Sequence, residues 1–204
     1  MTTPISIDFP ETDLDALAGA EGKLAILVTP DGKLDPAGRR VNRLAKQAVA
    51  RLNPNVAIET WPIYLDEKNG GEVVGAYDLV ADGSDNFDTR FAVADLCEQY
   101  EKTLVSAAVG QFDGSITTLK PHIKDEEGNA YPRYRDLFPT KPPEGMLPTC
   151  EEAGILGALT GILGSMQALE IIKEITGTGE SLAGRLIMYD ARAARFQEIR
   201  YERQ

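Results

Sequence analysis

Asp82-Gly83-Ser84-Asp85-Asn86-Phe87-Asp88-Thr89-Arg90 decides the reading of this chain. The stretch follows a short apolar run, Tyr77 to Ala81, and precedes a helix-like segment, Phe91 to Tyr100. It therefore puts carboxylates, an amide and an arginine on the loop that leaves a buried strand. In open parallel α/β sheets, ligands sit at the carboxyl ends of the strands. Two readings of the loop stand side by side. It holds a metal-bound phosphate, with Asp85 toward the cation and turn amides toward oxygens. Alternatively it is a strand-to-helix turn in which Ser84 or Asp85 caps the following helix.

Apolar runs on either side extend the pattern. Leu24 to Val28 reads as a strand ended by Thr29-Pro30-Asp31-Gly32. Asp35-Pro36 opens a helix in which Val41, Leu44, Ala45, Ala48, Val49 and Leu52 recur at helical spacing, and Asn53-Pro54 stops it. Val56 to Leu65 suggests a strand interrupted at Pro62, and Asp66 to Gly75 a short helix. Tyr77 to Asp82 and Leu104 to Val109 are continuously apolar rather than alternating, which favours strands of a parallel sheet joined by right-handed crossovers. The expected fold is α/β, a Rossmann-like, mostly parallel sheet flanked by helices, forming a single domain over residues 1–204 with 1–15 weakly ordered.

Residues 121–148 carry half of the chain's twelve prolines and read as a long crossover loop. Next comes the most apolar helix candidate, Glu151 to Thr176. Ile155, Leu159, Ile162, Met166 and Leu169 form its main stripe, and Leu156, Leu163 and Ile172 widen it. Gly154, Gly157, Gly161 and Gly164 would permit close backbone approach. The helix reads as a central element under the sheet, with a dimer seam as a second reading. Gly184 to Asp190 and Arg195 to Tyr201 form a terminal antiparallel hairpin.

The composition excludes several classes. A net charge of −11 over 204 residues, without a basic run, argues against nucleic acid as a partner. No apolar run approaches the roughly 18 residues of a membrane span, and Met1 to Pro10 lacks the pattern of a signal peptide. Two cysteines, Cys97 and Cys150, make neither a disulfide framework nor a four-ligand zinc site. These features point to a reducing cytoplasm. His122, the only histidine, lies in the long loop and reads as solvated.

Four segments in order carry a resemblance: the stretch from Asp82 to Arg90; Tyr134-Arg135-Asp136-Leu137-Phe138-Pro139; the run from Pro148 to Lys173; and Gly184 to Ala191. Together, over roughly Ala16 to Arg203, they resemble the MoeB/ThiF/HesA family, bacterial relatives of ubiquitin-activating enzymes. The resemblance implies a Rossmann-like fold and a homodimer. It also implies an adenylyltransferase that uses ATP and Mg to activate the C-terminal glycine carboxylate of a small ubiquitin-like sulfur-carrier protein, of the molybdopterin or thiamine type. Asp85 matches the aspartate that engages Mg-ATP, and Asn86 and Arg90 match its loop neighbours. Cys150 matches a cysteine that some members use in acyl transfer or sulfur chemistry. Thr149-x-x-Glu152 would be a capping box, setting Cys150 in the first helical turn; the alternative is an unreactive thiol on a loop.

The chain also departs from the family pattern. It contains no GxGGxG turn, the element that lays phosphate against helix N–H groups. Leu17 to Asp31 matches the end of the family's first helix and its second strand. The acidic ribose-holding position falls at Thr29, with Asp31 two residues later. The family's GxxK motif falls on Gly38-Arg39-Arg40-Val41, so that Val41 takes the lysine's place and Arg40 is the nearby cation. The first zinc-binding CxxC falls on Arg133 and Asp136, and the second has no counterpart, so no zinc site is expected. Arg133 and Asp136 would instead pair as an exposed salt bridge of about 0–1 kcal/mol. Two functions follow: an adenylyltransferase with reduced nucleotide contacts or with its N-terminal segment outside this sequence, or a catalytically degenerate partner of a full-length paralogue or of the carrier.

Overall fold

The computed structural model describes residues 24–27, 56–59, 61, 63, 65–66, 68–143 and 154–204. Within them one sheet of six strands runs in the order β1 to β6. Its strands are β1 (Leu24–Leu27), β2 (Leu79–Asp82), β3 (Thr103–Val109), β4 (Asp113–Leu119), β5 (Arg185–Asp190) and β6 (Arg195–Arg200). The helices are α1 (Gly70–Gly75), α2 (Phe87–Gln99), α3 (Tyr134–Leu137) and α4 (Gly157–Thr176).

The fold is α/β, as expected, but the described sheet is mixed rather than mostly parallel. β1 pairs with β2 and β2 with β3 in parallel, whereas β3–β4, β4–β5 and β5–β6 are antiparallel. The change of direction comes from β4, a strand that the sequence reading omits. After Val109 the chain turns over Gly110-Gln111-Phe112, with the Gly110 N–H donating to the Asp113 carbonyl at 2.8 Å. A turn of three residues cannot cross back over the sheet, so the next strand must run antiparallel.

Successive residues of a strand face opposite sides, and here the two sides form separate cores. Val80 of β2 and Leu104 of β3 pack with Val73, Val74, Phe91, Val93, Leu96 and Tyr134 from α1, α2 and α3. Leu79, Ala81, Val105, Ala107 and Ile116 pack instead against Leu159, Leu163 and Ile171 of α4. The result is three layers, helix on sheet on helix.

The long helix differs from its expected form in three ways. It starts at Gly157, with Leu156 as N-cap; residues 154–156 are not helical, and Gly154 has φ +73°. Its buried face is Leu159, Leu163, Glu170 and Ile171, whereas Leu156, Ile162, Leu169, Ile172 and Ile175 are exposed. Leu169, placed in the buried stripe by its hydrophobicity, is 59% exposed, and Glu170 beside it is 2% exposed. Glu170 is held by the Thr118 hydroxyl, the Leu182 N–H and the Lys173 ammonium. Nor do the helix glycines mediate close packing: among the described residues nothing lies within 4 Å of a Cβ placed at Gly154, Gly157, Gly161 or Gly164. The close approach is made from the sheet, where a Cβ on Gly114 would stand 2.8 Å from Leu163. The helix ends where Gly177 takes φ +66° and donates its N–H to Lys173.

Other expectations divide. The terminal hairpin forms in full register from Arg185↔Arg200 to Asp190↔Arg195. The described residues between 56 and 65 form no strand: Val56, Trp61 and Ile63 are all more than 40% exposed, and Pro62 has no N–H to give a ladder. The long loop contains α3 and the bridge Lys124↔Ala130. The helix expected over Val41 to Leu52, the capping box at Thr149 and Glu152, Arg40 and Cys150 lie outside the described residues.

Candidate functional site

The site grows from the end of β2. Leu79, Val80 and Ala81 are buried on both faces, and so is Asp82, 1% exposed. An aspartate ends a strand readily because its side chain offers the backbone an acceptor two residues on. Here Asp82 Oδ1 accepts the Ser84 N–H at 2.9 Å, and exposed Gly83 makes the turn between them. Asp82 Oδ2 lies 3.5 Å from the Ser106 hydroxyl on β3, its partner across the parallel ladder.

The following helix is capped by Asn86, not by Ser84 or Asp85. Asn86 has extended backbone, φ −135° and ψ 150°, and its Oδ1 accepts the Thr89 N–H at 2.8 Å. Of the candidates in the run, only Asn86 sits three residues before the N–H at the N3 position that a cap must reach. α2 therefore begins at Phe87, a turn earlier than Phe91. The helix takes up Asn86 and leaves Asp85 out of the cap. Asn86 Nδ2 donates to Asp85 Oδ1 at 3.2 Å, and Asp85 is half-buried.

Arg90 closes the loop from the helix side. Its Nε and Nη2 both donate to the Ser84 carbonyl, at 3.1 and 2.7 Å, and its guanidinium lies 5.5 Å from the centre of the Phe87 ring. From the other face of the sheet, Gln167 of α4 donates Nε2 to the Asp82 and Val105 carbonyls, both at 2.9 Å. The first is the last carbonyl of β2, and the second lies within the neighbouring parallel strand β3.

The electrostatics follow from burial. Desolvation raises the Asp82 carboxyl above its ordinary range, against the pull of the Ser84 N–H and Arg90. Burial, reinforced by Asp82, pushes the Cys97 thiol up, so this cysteine is not a poised nucleophile. Burial also pushes Tyr134 to about 12.

Asp85, Asn86 and Arg90 are thus brought into one loop, while Arg40 and Cys150 lie outside the described residues. The sequence reading did not assign Asp82, Ser106 or Gln167 to the site. The Asp-x-Ser spacing at Asp82 and Ser84 was a usable signal; nothing in the sequence marks Gln167.

At the positions of the family's first CxxC, Arg133 and Asp136 do pair, through Arg133 Nη2–Asp136 Oδ1 at 2.7 Å and Nε–Oδ2 at 3.1 Å. The pair is not the exposed one expected. The Asp136 side chain is 2% exposed and also accepts the Arg133 N–H, which caps α3. Hydrogen bonding to Arg133 holds the Asp136 carboxyl below the ordinary carboxylate range. His122 is exposed, as expected.

The chain is similar in sequence and in fold to several known proteins. The chain is 41% identical over 160 residues to a sulfur carrier protein adenylyltransferase of Thermus thermophilus, a match covering 78% of this chain and 58% of the relative. It is 40% identical over 167 residues to a SAMP-activating enzyme E1 of Haloferax volcanii, covering 82% and 59%. The adenylyltransferase and sulfurtransferase MOCS3 of Drosophila virilis is 38% identical over 156 residues, covering 76% of this chain and 33% of the relative. The chain thus spans less than two thirds of the length of these relatives. In structure it resembles E. coli MccB in complex with MccA, at a TM-score of 0.67, 11% identity and coverage of 89% of this chain and 57% of that one. PaaA is similar, at a TM-score of 0.65 and 14% identity, with coverage of 89% and 57%. The ThiF family model matches residues 34–204, which take in the pinned Asp85 loop, the crossover and α4, and the chain belongs to the ThiF family.

Proposed function

We propose that this chain is an ATP-dependent adenylyltransferase that activates the C-terminal glycine carboxylate of a small ubiquitin-like sulfur-carrier protein. The observation that carries this reading is the Asp85 loop. It presents a half-buried carboxylate at the carboxyl end of β2, on backbone pinned by Asp82 and Arg90. The curated relatives named for sulfur-carrier and SAMP activation support the substrate class.

The donor set fits magnesium. That ion is held through one or two carboxylates together with substrate phosphates, not by an all-protein cage. Among the described residues no group of three His, Cys, Asp or Glu is placed to hold a metal, so Asp85 and the phosphates would share it. Bound there, magnesium would supply charge neutralisation to the triphosphate. The carrier's terminal carboxylate oxygen attacks the α-phosphorus of ATP, the bond to the pyrophosphate oxygen breaks, and pyrophosphate leaves. Asp85 would hold the nucleotide's cation, while Asn86 and Arg90 position the Asp85 loop; positioning and charge neutralisation carry most of such a reaction. Arg40 is assigned to the phosphates and Cys150 to the later acyl or sulfur step, on the family match alone. The exposed apolar residues Ile162, Leu169, Ile172 and Ile175 of α4, with Leu156 at its N-cap, support pairing with a second copy or a full-length paralogue.

Calorimetric titration of the purified chain with Mg-ATP tests the reading. Binding that disappears in Asp85→Asn, while the far-UV spectrum is kept, is the expected result. Equal affinity in the variant refutes the role of Asp85. Absence of binding by the wild-type chain, restored by adding a full-length paralogue, would favour the second function, a degenerate partner.

A further inference from the structure

We infer that Asp82 is the positioning residue for Asp85, acting through the two peptide groups that flank Ser84. This rests on the proposed role of Asp85. The peptide between Gly83 and Ser84 is held through its N–H by Asp82 Oδ1, at 2.9 Å. The peptide between Ser84 and Asp85 is held through its carbonyl by Arg90 Nε and Nη2, at 3.1 and 2.7 Å. Each peptide is planar, so fixing one atom on each side leaves the chain at Ser84 few ways to turn. The Asp85 N–H and Cα lie in the second of these planes, and the direction of the Asp85 side chain follows from it.

Asp82 is suited to this task and to no contact with solvent. It is 1% exposed, as Ser84 is 2%, and lies on the side of the sheet that packs against α2. Its second oxygen faces Ser106 of β3, and its own carbonyl is tied by Gln167 of α4. The anchor for the loop is thereby referred to β2, β3, α2 and α4 together. Ser84 is fixed through its backbone, by Asp82 at the N–H and by Arg90 at the carbonyl. Burial of an acid is costly where a neutral residue would pack. Asp82 at this depth accepts the Ser84 N–H at 2.9 Å, which sets the turn, and takes the longer Ser106 hydroxyl contact on its other oxygen.

The test compares Asp82→Ala, Asp82→Asn, Asp85→Asn and Val80→Ala in the full chain. Val80 is fully buried on the same strand and face, and its truncation controls for general loss of stability. The readouts are the exchange rate of the Ser84 amide by NMR and the Kd for Mg-ATP. Asp82→Ala should speed Ser84 exchange roughly 10-fold or more and raise the Kd roughly 10-fold, the weight of one hydrogen bond to a charged acceptor. Asp82→Asn keeps an oxygen acceptor and should restore both to within about 3-fold. Val80→Ala should leave both unchanged at a comparable loss of unfolding midpoint. Ser84 protection or Mg-ATP affinity unchanged in Asp82→Ala, or equally altered in Val80→Ala, overturns the inference while leaving Asp85 in its role. Wild-type affinity in Asp85→Asn, or no Mg-ATP affinity in the wild type, refutes the proposed function and the inference with it.

Discussion

Replacing Glu170 by alanine removes the acceptor that fastens α4 to the sheet. One oxygen, Oε1, takes the Thr118 hydroxyl at 2.8 Å and the Leu182 N–H at 2.7 Å, while Oε2 takes the Lys173 ammonium. Thr118 is 1% exposed and Leu182 8%, so in Glu170→Ala neither donor can turn to water. A buried donor left without an acceptor costs about 1–3 kcal/mol. Lys173 is 23% exposed and can resolvate, so its share is small. Burying the carboxylate has its own cost, which the alanine variant escapes. The balance is a loss of about 3–5 kcal/mol, the usual result of breaking a buried pair from one side. In a chain of this size that lowers Tm by roughly 6–20 °C. Glu170→Gln keeps Oε1 for both buried donors but sets an amide N–H₂ against the ammonium; Lys173 then moves to solvent and the loss is about 1–2 kcal/mol. Urea unfolding followed by far-UV circular dichroism, with equal m-values for all three proteins, measures both differences. A loss under about 1 kcal/mol in Glu170→Ala, or equal losses in the two variants, would show that Oε1 is not what holds the helix.

Two further outcomes follow from the buried acids and the thiol. Asp136 is held below its ordinary pKa of 3.8, so its pairing stabilises the fold above that pH and fades as the pH falls through and below it. Asp136→Asn should therefore cost about 1–3 kcal/mol at pH 7, and the difference from wild type should shrink below pH 3.8 in acid titrations of unfolding; a constant difference across that range would show that charge is not involved. Cys97, 2% exposed with its thiol pKa raised by burial, should resist iodoacetamide at pH 8 until the chain is unfolded in urea. Modification at native conditions, located by peptide mass, would contradict the packing of α2.

What could be read in advance, and what could not, depends on which force placed each residue. β2 and β3 are mostly buried apolar runs, and burial fixes them, whereas β5 has an apolar centre of which only Leu186 is buried. β4 has only Ile116 and Leu119 as large apolar residues, and they join opposite cores. Its Thr117 and Thr118 are buried because Tyr201, the Arg185 carbonyl and Glu170 satisfy their hydroxyls, partners that arrive from more than fifty residues away. No local pattern holds that information. The helix α4 fails for a related reason. It carries two apolar rows, and hydrophobicity cannot choose between them; the sheet selects the row containing Glu170 because Thr118 and Leu182 need an acceptor there. At the Asp82–Arg90 stretch the chemistry was legible but its bookings were not. Ser84, Asp85 and Asn86 were all able to cap, and only the start of α2 at Phe87 assigns the cap to Asn86.

That assignment has a consequence for how the site is built. In the proposed role the loop presents the Asp85 carboxylate, steadied by Asn86 Nδ2 at 3.2 Å, on backbone that is held still beneath it. Here the loop's structural tasks fall to neighbours of Asp85: Asp82 takes the turn, Asn86 the cap, and Arg90 the carbonyl between them. The same logic runs through the sheet. Gln167 donates both amide hydrogens to the sheet, one to the Asp82 carbonyl at the end of β2 and one to the Val105 carbonyl within β3, so the end of β2 beneath the loop is tied to α4. One turn further along, Glu170 locks α4 to β4 and to Leu182. The position of Asp85 is thus set by a chain of polar contacts through the layers, not by the apolar cores on either side, which would tolerate a sliding helix. Apolar packing decides that the layers meet; the buried polar side chains decide the register in which they do.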